Sequence, residues 1–225
     1  MSTKARPILF SSPMINALLD GRKTQTRRIV KPPRQWPENS HPDPFAMPPA
    51  VWWWNGKHHR VGVRQECPYG SVGDLIWVRE AFAPLIVNDW PNPVGPVIYR
   101  AEGTHEEYPG RWIPSIHMAR RFSRLTLRIT DVRVQRLQEI SEADAQAEGL
   151  EAIDFPYGRF WRNYLLSDSE AQCSPMLETP RESFLSLWDS INARRGYGWD
   201  VNPWIWALSF DVIHANVDQV PREPA

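Results

Sequence analysis

The sequence predicts an α+β fold: a small β-barrel or curved sheet with helices on its rim. Short apolar strands and a few well-signalled helices follow one another in mixed order, with no internal repeat. Three stretches, about 31–70, 81–110 and 151–178, are rich in proline or tryptophan or lack any period, and read as long loop insertions. Residues 1–215 form a single domain on this reading, and "DQVPREPA" places residues 216–225 in a disordered tail.

The elements follow in chain order. "PILF" reads as a short buried strand. In "SSPMINALLDG", Ser12 is the expected cap, Pro13 the first helical residue and Gly21 the residue past the end. Met14, Ile15, Leu18 and Leu19 fall on one face of that helix. Beyond the proline-rich loop, "VWWWNGKHHRVGV" carries Asn55-Gly56 between a tryptophan run and a polar run, a hairpin signal. "GSVGDLIWVRE" is a glycine turn feeding a strand, Leu75 to Val78, apolar on both faces. In "SRLTLRITDVRVQRL", Leu125, Leu127 and Ile129 alternate with polar residues, and the parity flips to Val132 and Val134, which predicts a bulge near Asp131. "ISEADAQAEGL" is a short helix with Ser141 and Asp144 in a capping-box pattern and Gly149 at its end. "TPRESFLSLWDSIN" is a second capped helix, with Thr179, Pro180 and Glu182 at its start and Phe184, Leu185, Trp188 and Ile191 on its apolar face. "NPWIWALSFDVI" is apolar on both faces, as a central strand would be.

Lys plus Arg and Asp plus Glu both number 26, so attraction to nucleic acid can be argued only from local clusters. The two cysteines, Cys67 and Cys173, form no disulfide framework, which suits a reducing compartment. No apolar run approaches membrane-spanning length, and the first residues are too weakly apolar for a signal peptide, so a cytoplasmic protein without membrane contact is expected. The histidines and cysteines show no zinc-ligand spacing, and no metal or other cofactor is expected.

One stretch stands out for chemistry. "GRKTQTRR" places four cations in eight residues directly after the first helix. Lys23 has like charges around it in Arg22, Arg27 and Arg28, and with partial burial these lower an amine's pKa and make it a usable base or nucleophile. The alternative is a solvated basic strand edge. Lys23 and Thr26 are three apart, so a regular strand separates them onto opposite faces and only a turn or bulge lets them act together. Glu148 closes the Ser141 helix, where the dipole disfavours a carboxylate and would raise its pKa. Trp52 to Trp54, followed by Lys57, His58, His59 and Arg60, suit a base-stacking flap or an apolar plug. Arg120, Arg121, Arg124, Arg128, Arg133 and Arg136 form a second basic group suited to phosphate.

Taken in order, "GRKTQTRR", "GSVGD", "DVRVQRLQEISEADAQAEG" and "NPWIWALSFDVI" resemble the ASCH domain, a β-barrel fold related to the PUA RNA-binding domain, and most resemble its longer phage and prophage versions. The resemblance spans nearly the whole chain apart from the insertions. Small bacterial members of that superfamily are amidohydrolases that remove the acetyl group from 4-acetylcytidine; others are implicated in RNA binding or cleavage. Their lysine, threonine and downstream glutamate match Lys23, Thr26 and Glu148. The resemblance therefore implies a pocket for RNA or a modified nucleoside. Lys23 acts there as base or nucleophile, Thr26 assists the attack and Glu148 shuttles the proton. Arg22, Arg27, Arg28, Trp52 and Trp54 contact the substrate. A non-catalytic RNA-binding module is the alternative, and a ribonuclease the third reading.

Overall fold

The computed structural model describes residues 5–31, 41–43, 50–54, 62–85, 95–103, 110–167 and 176–221. Its strands are β1 (Arg6–Leu9), β2 (Gln25–Ile29), β3 (His41–Asp43), β4 (Ala50–Trp54), β5 (Gly62–Glu66), β6 (Leu75–Arg79), β7 (Phe82–Pro84), β8 (Val97–Tyr99), β9 (Thr126–Arg136), β10 (Ala152–Phe155), β11 (Gly158–Trp161) and β12 (Trp204–Ile213). The α-helices are α1 (Ser12–Leu19), α2 (Glu142–Ala147) and α3 (Pro180–Asn192). The fold is α+β with mostly antiparallel strand pairing. Among the described residues no sheet closes into a barrel.

The chain divides into two compact units: Met1–Gly21, Val72–Thr130 and Phe210–Ala225 make the first, Arg22–Ser71 and Asp131–Ser209 the second. Neither is one continuous segment, so no linker marks the division, and the sequence reads as a single domain.

In the first unit the strand order is β1-β6-β9-β12, with β1 parallel and β9 antiparallel to β6. β6 is buried at four consecutive positions, as its two-sided apolar pattern requires. Helix α1 starts one residue earlier than Ser12 as cap implies: Ser11 is the N-cap and makes no side-chain capping bond, while Pro13 occupies the first turn. Gly21 at φ +73° takes the left-handed position after the helix, which a Cβ would strain. β7 and β8 pair antiparallel within the stretch read as irregular. Phe82, Ile113 and Met118 form a small core there, with Val97, Tyr99 and Phe122 packed against it. Proline at the end of the three-residue β7 hides the strand from a pattern reading. The expected tail is also corrected: Val217 and Val220 are buried with Leu75 and Trp77. Covering two large apolar side chains gives a polar segment reason to order.

In the second unit the order is β9-β12-β2, and β12 pairs antiparallel with β2. β12 is buried from Ile205 through Leu208, the signature of a strand covered on both faces. Along β9 the buried positions run Leu127, Ile129 and then Val132, so the phase shifts at the point where the sequence predicts a bulge. The core gathers Leu137, Ile140, Ala145, Leu150, Trp161, Phe184, Trp188 and Trp199 around Ile205 and Ala207. Helix α3 has the reciprocal Thr179–Glu182 capping box its sequence announces. Its buried face is Phe184 and Trp188 with Ser183, Ser186 and Asn192, whereas Ile191 is exposed rather than on the apolar face.

Two insertions of this unit are not loops throughout. β3, β4 and β5 form an antiparallel sheet. The register puts Trp54 opposite Gly62, so β4 and β5 are joined across more residues than a two-residue Asn-Gly turn; Asn55 and Gly56 lie outside the described residues. β10 and β11 form a tight hairpin within the third insertion. All four β10 residues are exposed, so no buried face imposed the alternation by which a strand is recognised.

Candidate functional site

The basic stretch changes character along its length. Arg22 and Thr24 are exposed, Arg28 is half-buried, and Lys23, Thr26 and Arg27 are buried. β2 places Thr26 opposite Leu208, Arg27 opposite Ala207 and Arg28 opposite Trp206, all on the central strand β12. Three cationic side chains thus lie on a strand or its approach where apolar residues are the rule.

Glu148 reaches them from α2. The Ser141 Oγ accepts a hydrogen bond from the Asp144 N–H at 3.1 Å and starts that helix. Gly149 at φ +83° ends it, leaving Glu148 as the C-cap residue. There Lys23 and Glu148 form an antiparallel bridge, and the Thr24 N–H donates to the Ala147 carbonyl at 2.9 Å. Backbone pairing therefore fixes the two residues side by side across 125 positions of sequence.

Their side chains meet. Lys23, 0% exposed, donates from Nζ to Glu148 Oε2 at 2.8 Å and to the Glu148 carbonyl at 2.8 Å. Arg27 Nη1 donates to the other carboxylate oxygen, Glu148 Oε1, at 2.9 Å. Arg27 Nη2 lies 3.0 Å from Asp144 Oδ2, in ion-pair contact. Gln25 Nε2 donates to Asp144 Oδ1 at 2.8 Å, and Arg133 donates to both Asp144 oxygens at 3.3 Å. The result is a chain of alternating charge, Lys23–Glu148–Arg27–Asp144–Arg133. The Arg27 guanidinium also sits over the Phe184 ring, 5.6 Å from its centroid.

Burial pushes the Lys23 amine below its ordinary range, and the neighbouring Arg28 and Arg27 charges push the same way; the Glu148 carboxylate opposes them. The sequence reading anticipated the direction from like charge and partial burial together; burial is the larger cause. Burial also lowers the Arg28 guanidinium, against the pull of Tyr69 and Glu148. At Asp144 burial works to raise the carboxyl, but hydrogen bonds from Arg133 and Gln25 and the Arg27 charge hold it below the usual carboxylate range. Such an array places an amine whose charged form is disfavoured by burial in hydrogen-bond contact with a carboxylate.

Thr26 is buried and precedes Arg27 on β2, so strand alternation turns its side chain to the face opposite Arg27. Arg22 donates to the Gly149 and Leu150 carbonyls at 3.1 and 3.3 Å and lies at the rim of an open cleft of about 580 Å³. Ala147, Leu150, Ala152, Asp154, Arg159 and Trp161 line the same cleft, which thus adjoins the backbone on either side of Glu148. Trp52 and Trp54 occupy β4, with Trp52 opposite Asp43 and Arg64 in the backbone register. His58, His59 and Cys173 lie outside the described residues, among which no group of acidic, histidine or cysteine side chains could hold a metal. No helix among them is long and apolar enough to cross a membrane.

The second basic group is largely engaged internally. Arg124 makes a two-pronged contact with Glu80 at 2.9 and 3.0 Å and a third bond to Glu102 at 2.6 Å. Arg120 pairs with Asp218, and Arg136 donates to the Asn202 carbonyl and covers the Trp204 ring.

Asp144 and Gln25 escaped the sequence reading as site residues. Asp144 read only as a capping residue, yet it accepts hydrogen bonds from Gln25 and Arg133 and is an ion-pair partner of Arg27. The shared parity of Lys23, Gln25 and Arg27 along the strand approach was the available signal. No family model matches this chain, and no curated protein or solved structure matches it significantly.

Proposed function

We propose that this chain hydrolyses the acyl amide of an acylated cytidine-type base, on the PUA-like, ASCH-type scaffold its sequence resembles. The observation that carries the reading is the buried contact between Lys23 Nζ and Glu148 at 2.8 Å, with a second cation, Arg27, on the other carboxylate oxygen. Burial disfavours the ammonium form of Lys23 and so inclines the amine to act as a base, and the Glu148 carboxylate in contact with it lies within reach of its proton.

In the proposed reaction water adds to the acyl carbon and gives up a proton to the Lys23–Glu148 pair. As the carbon–nitrogen bond breaks, that proton passes to the exocyclic nitrogen of the base. The products are the free cytosine-type amine and a carboxylic acid. Arg28, whose charge acts on both Lys23 and Glu148, supplies positive charge for the developing oxyanion. Arg27 holds the Glu148 carboxylate in place, and the assisting role that the resemblance gives Thr26 does not fit a side chain that alternation turns to the face opposite Arg27. A non-catalytic RNA-binding module draws less support, because Arg120, Arg124, Arg133 and Arg136 spend much of their charge and hydrogen-bonding capacity on internal partners.

The test is to incubate the purified protein with 4-acetylcytidine and longer-acyl analogues and follow cytidine by chromatography. Release by the wild type and not by Lys23→Ala is the expected result. No release from any analogue at high enzyme and long times refutes the reading.

A further inference from the structure

The β10–β11 hairpin has an edge built for pairing. In an antiparallel pair, residues alternate between those whose backbone groups face the partner strand and those whose groups face away. The Arg162 N–H donates to the Glu151 carbonyl at 3.0 Å, which marks that pair as inward-facing. Alternation makes Ala152–Trp161 and Asp154–Arg159 the outward-facing pairs. Trp161 bears this out on the β11 side: its N–H and carbonyl bond Leu177 across the outer edge, each at 2.8 Å. On the β10 side the N–H and carbonyl groups of Ala152 and Asp154 point outward, and nothing among the described residues pairs with them.

The exposed face of the same hairpin is apolar. Ala152, Asp154, Arg159 and Trp161 line the cleft, which leaves Ile153, Phe155 and Phe160 on the opposite face. Ile153 is 48% exposed, and Tyr157 at the turn is 77% exposed. Phe155 and Tyr157 stack with ring centroids 5.4 Å apart, and Phe160 meets both edge-on at 5.7 Å. β10 itself has no lysine or proline, the residues that usually protect an edge strand.

We propose that β10 pairs antiparallel with the β10 of a second copy of this chain, about a two-fold axis at Ile153. The register is selected by which residues face outward. With Ile153 opposite the partner's Ile153, Ala152 lies opposite the partner's Asp154, and both members of that pair have free outward groups. Shifting two residues one way sets Ala152 against the partner's Pro156, which has no N–H to donate, and brings together two Asp154 carboxylates that are each already held by Arg159. Shifting two the other way sets Asp154 against the partner's Leu150, a residue buried in the core. Only the central register pairs all the outward backbone groups of Ala152 and Asp154 while joining the two apolar faces. A four-residue strand covers less than the roughly 800 Å² per partner of a standard interface, so the dimer forms with rising concentration.

Sedimentation velocity of the full chain across a concentration series tests this, independently of any activity. Wild type is expected to shift from monomer to dimer. Ile153→Lys, which opposes two ammonium groups at the axis, and Ala152→Pro, which removes one outward donor, are expected to stay monomeric. Ile153→Cys should form a covalent dimer on mild oxidation, because directly opposed Cβ atoms in a non-hydrogen-bonded pair approach to about 4.5 Å, within reach of a disulfide; Leu165→Cys, somewhat more exposed at 57% but elsewhere, should not. A wild type that is monomeric at every concentration, an Ile153→Lys variant that still associates, or an Ile153→Cys variant that fails to cross-link overturns the proposal.

Discussion

Replacing Glu148 by glutamine removes the one negative charge shared by two buried cations, Lys23 at 2.8 Å and Arg27 at 2.9 Å, while keeping the side chain's shape. Breaking a buried ion pair from one side costs about 3–5 kcal/mol, because the remaining charge is left uncompensated. For a chain of this size that lowers Tm by roughly 6–20 °C. Lys23→Met is the contrasting change. It removes a cation whose burial is already unfavourable and leaves Glu148 with its Arg27 partner, so it should cost clearly less than Glu148→Gln. The two differ in pH dependence as well. In wild type the folded Lys23 binds its proton less tightly than the unfolded chain does, with its pKa below the ordinary 10.5. Between the folded and unfolded values the unfolded state therefore holds more protons, and stability rises with pH. Glu148→Gln widens that window, since the charge opposing the depression is gone, whereas Lys23→Met abolishes this contribution. Urea unfolding at several pH values, read as midpoints at constant slope, measures both effects. A Lys23→Met protein as unstable as Glu148→Gln, or a Glu148→Gln protein as stable as wild type, refutes the ion-pair account.

Two other outcomes test the surrounding scaffold. Thr179→Ala removes the side-chain acceptor of the Glu182 N–H at 3.1 Å and should cost about 0.5–2 kcal/mol in a denaturant titration. Burial pushes the Tyr164 phenol up to about 12, so the folded state holds its proton longer than the unfolded state and stability should fall as pH rises from 10 toward 12. Tyr164→Phe should flatten that part of the profile, as measured by thermal melts across alkaline pH.

What the sequence discloses follows from which physical signals it carries locally. The capping box of α3, the glycine after α1 and the two-sided apolar runs of β6 and β12 depend on neighbouring residues alone, and all are found in place. The β10–β11 hairpin, the β7–β8 pair and the ordered segment at Val217 and Val220 were invisible for a different reason. An exposed strand has no buried face to impose a period, and a short segment orders only because distant apolar residues need cover. The site divides the same way. The basic stretch announces itself, but its contact with Glu148 spans 125 residues and entered the reading only through a family resemblance. Arg27 was expected to face substrate, and the structure instead spends it between Glu148 and Asp144. The residues around Glu148 in sequence show only the unfavourable dipole at the helix end; two buried cations are its actual neighbours.

The most direct measurement is the rate of cytidine release from 4-acetylcytidine by wild type and by Lys23→Met, with folding of both confirmed by their urea midpoints. If Lys23 is the base, the variant remains folded and its rate falls by about 10²–10⁴-fold. A folded Lys23→Met protein that releases cytidine as fast as wild type contradicts the central claim.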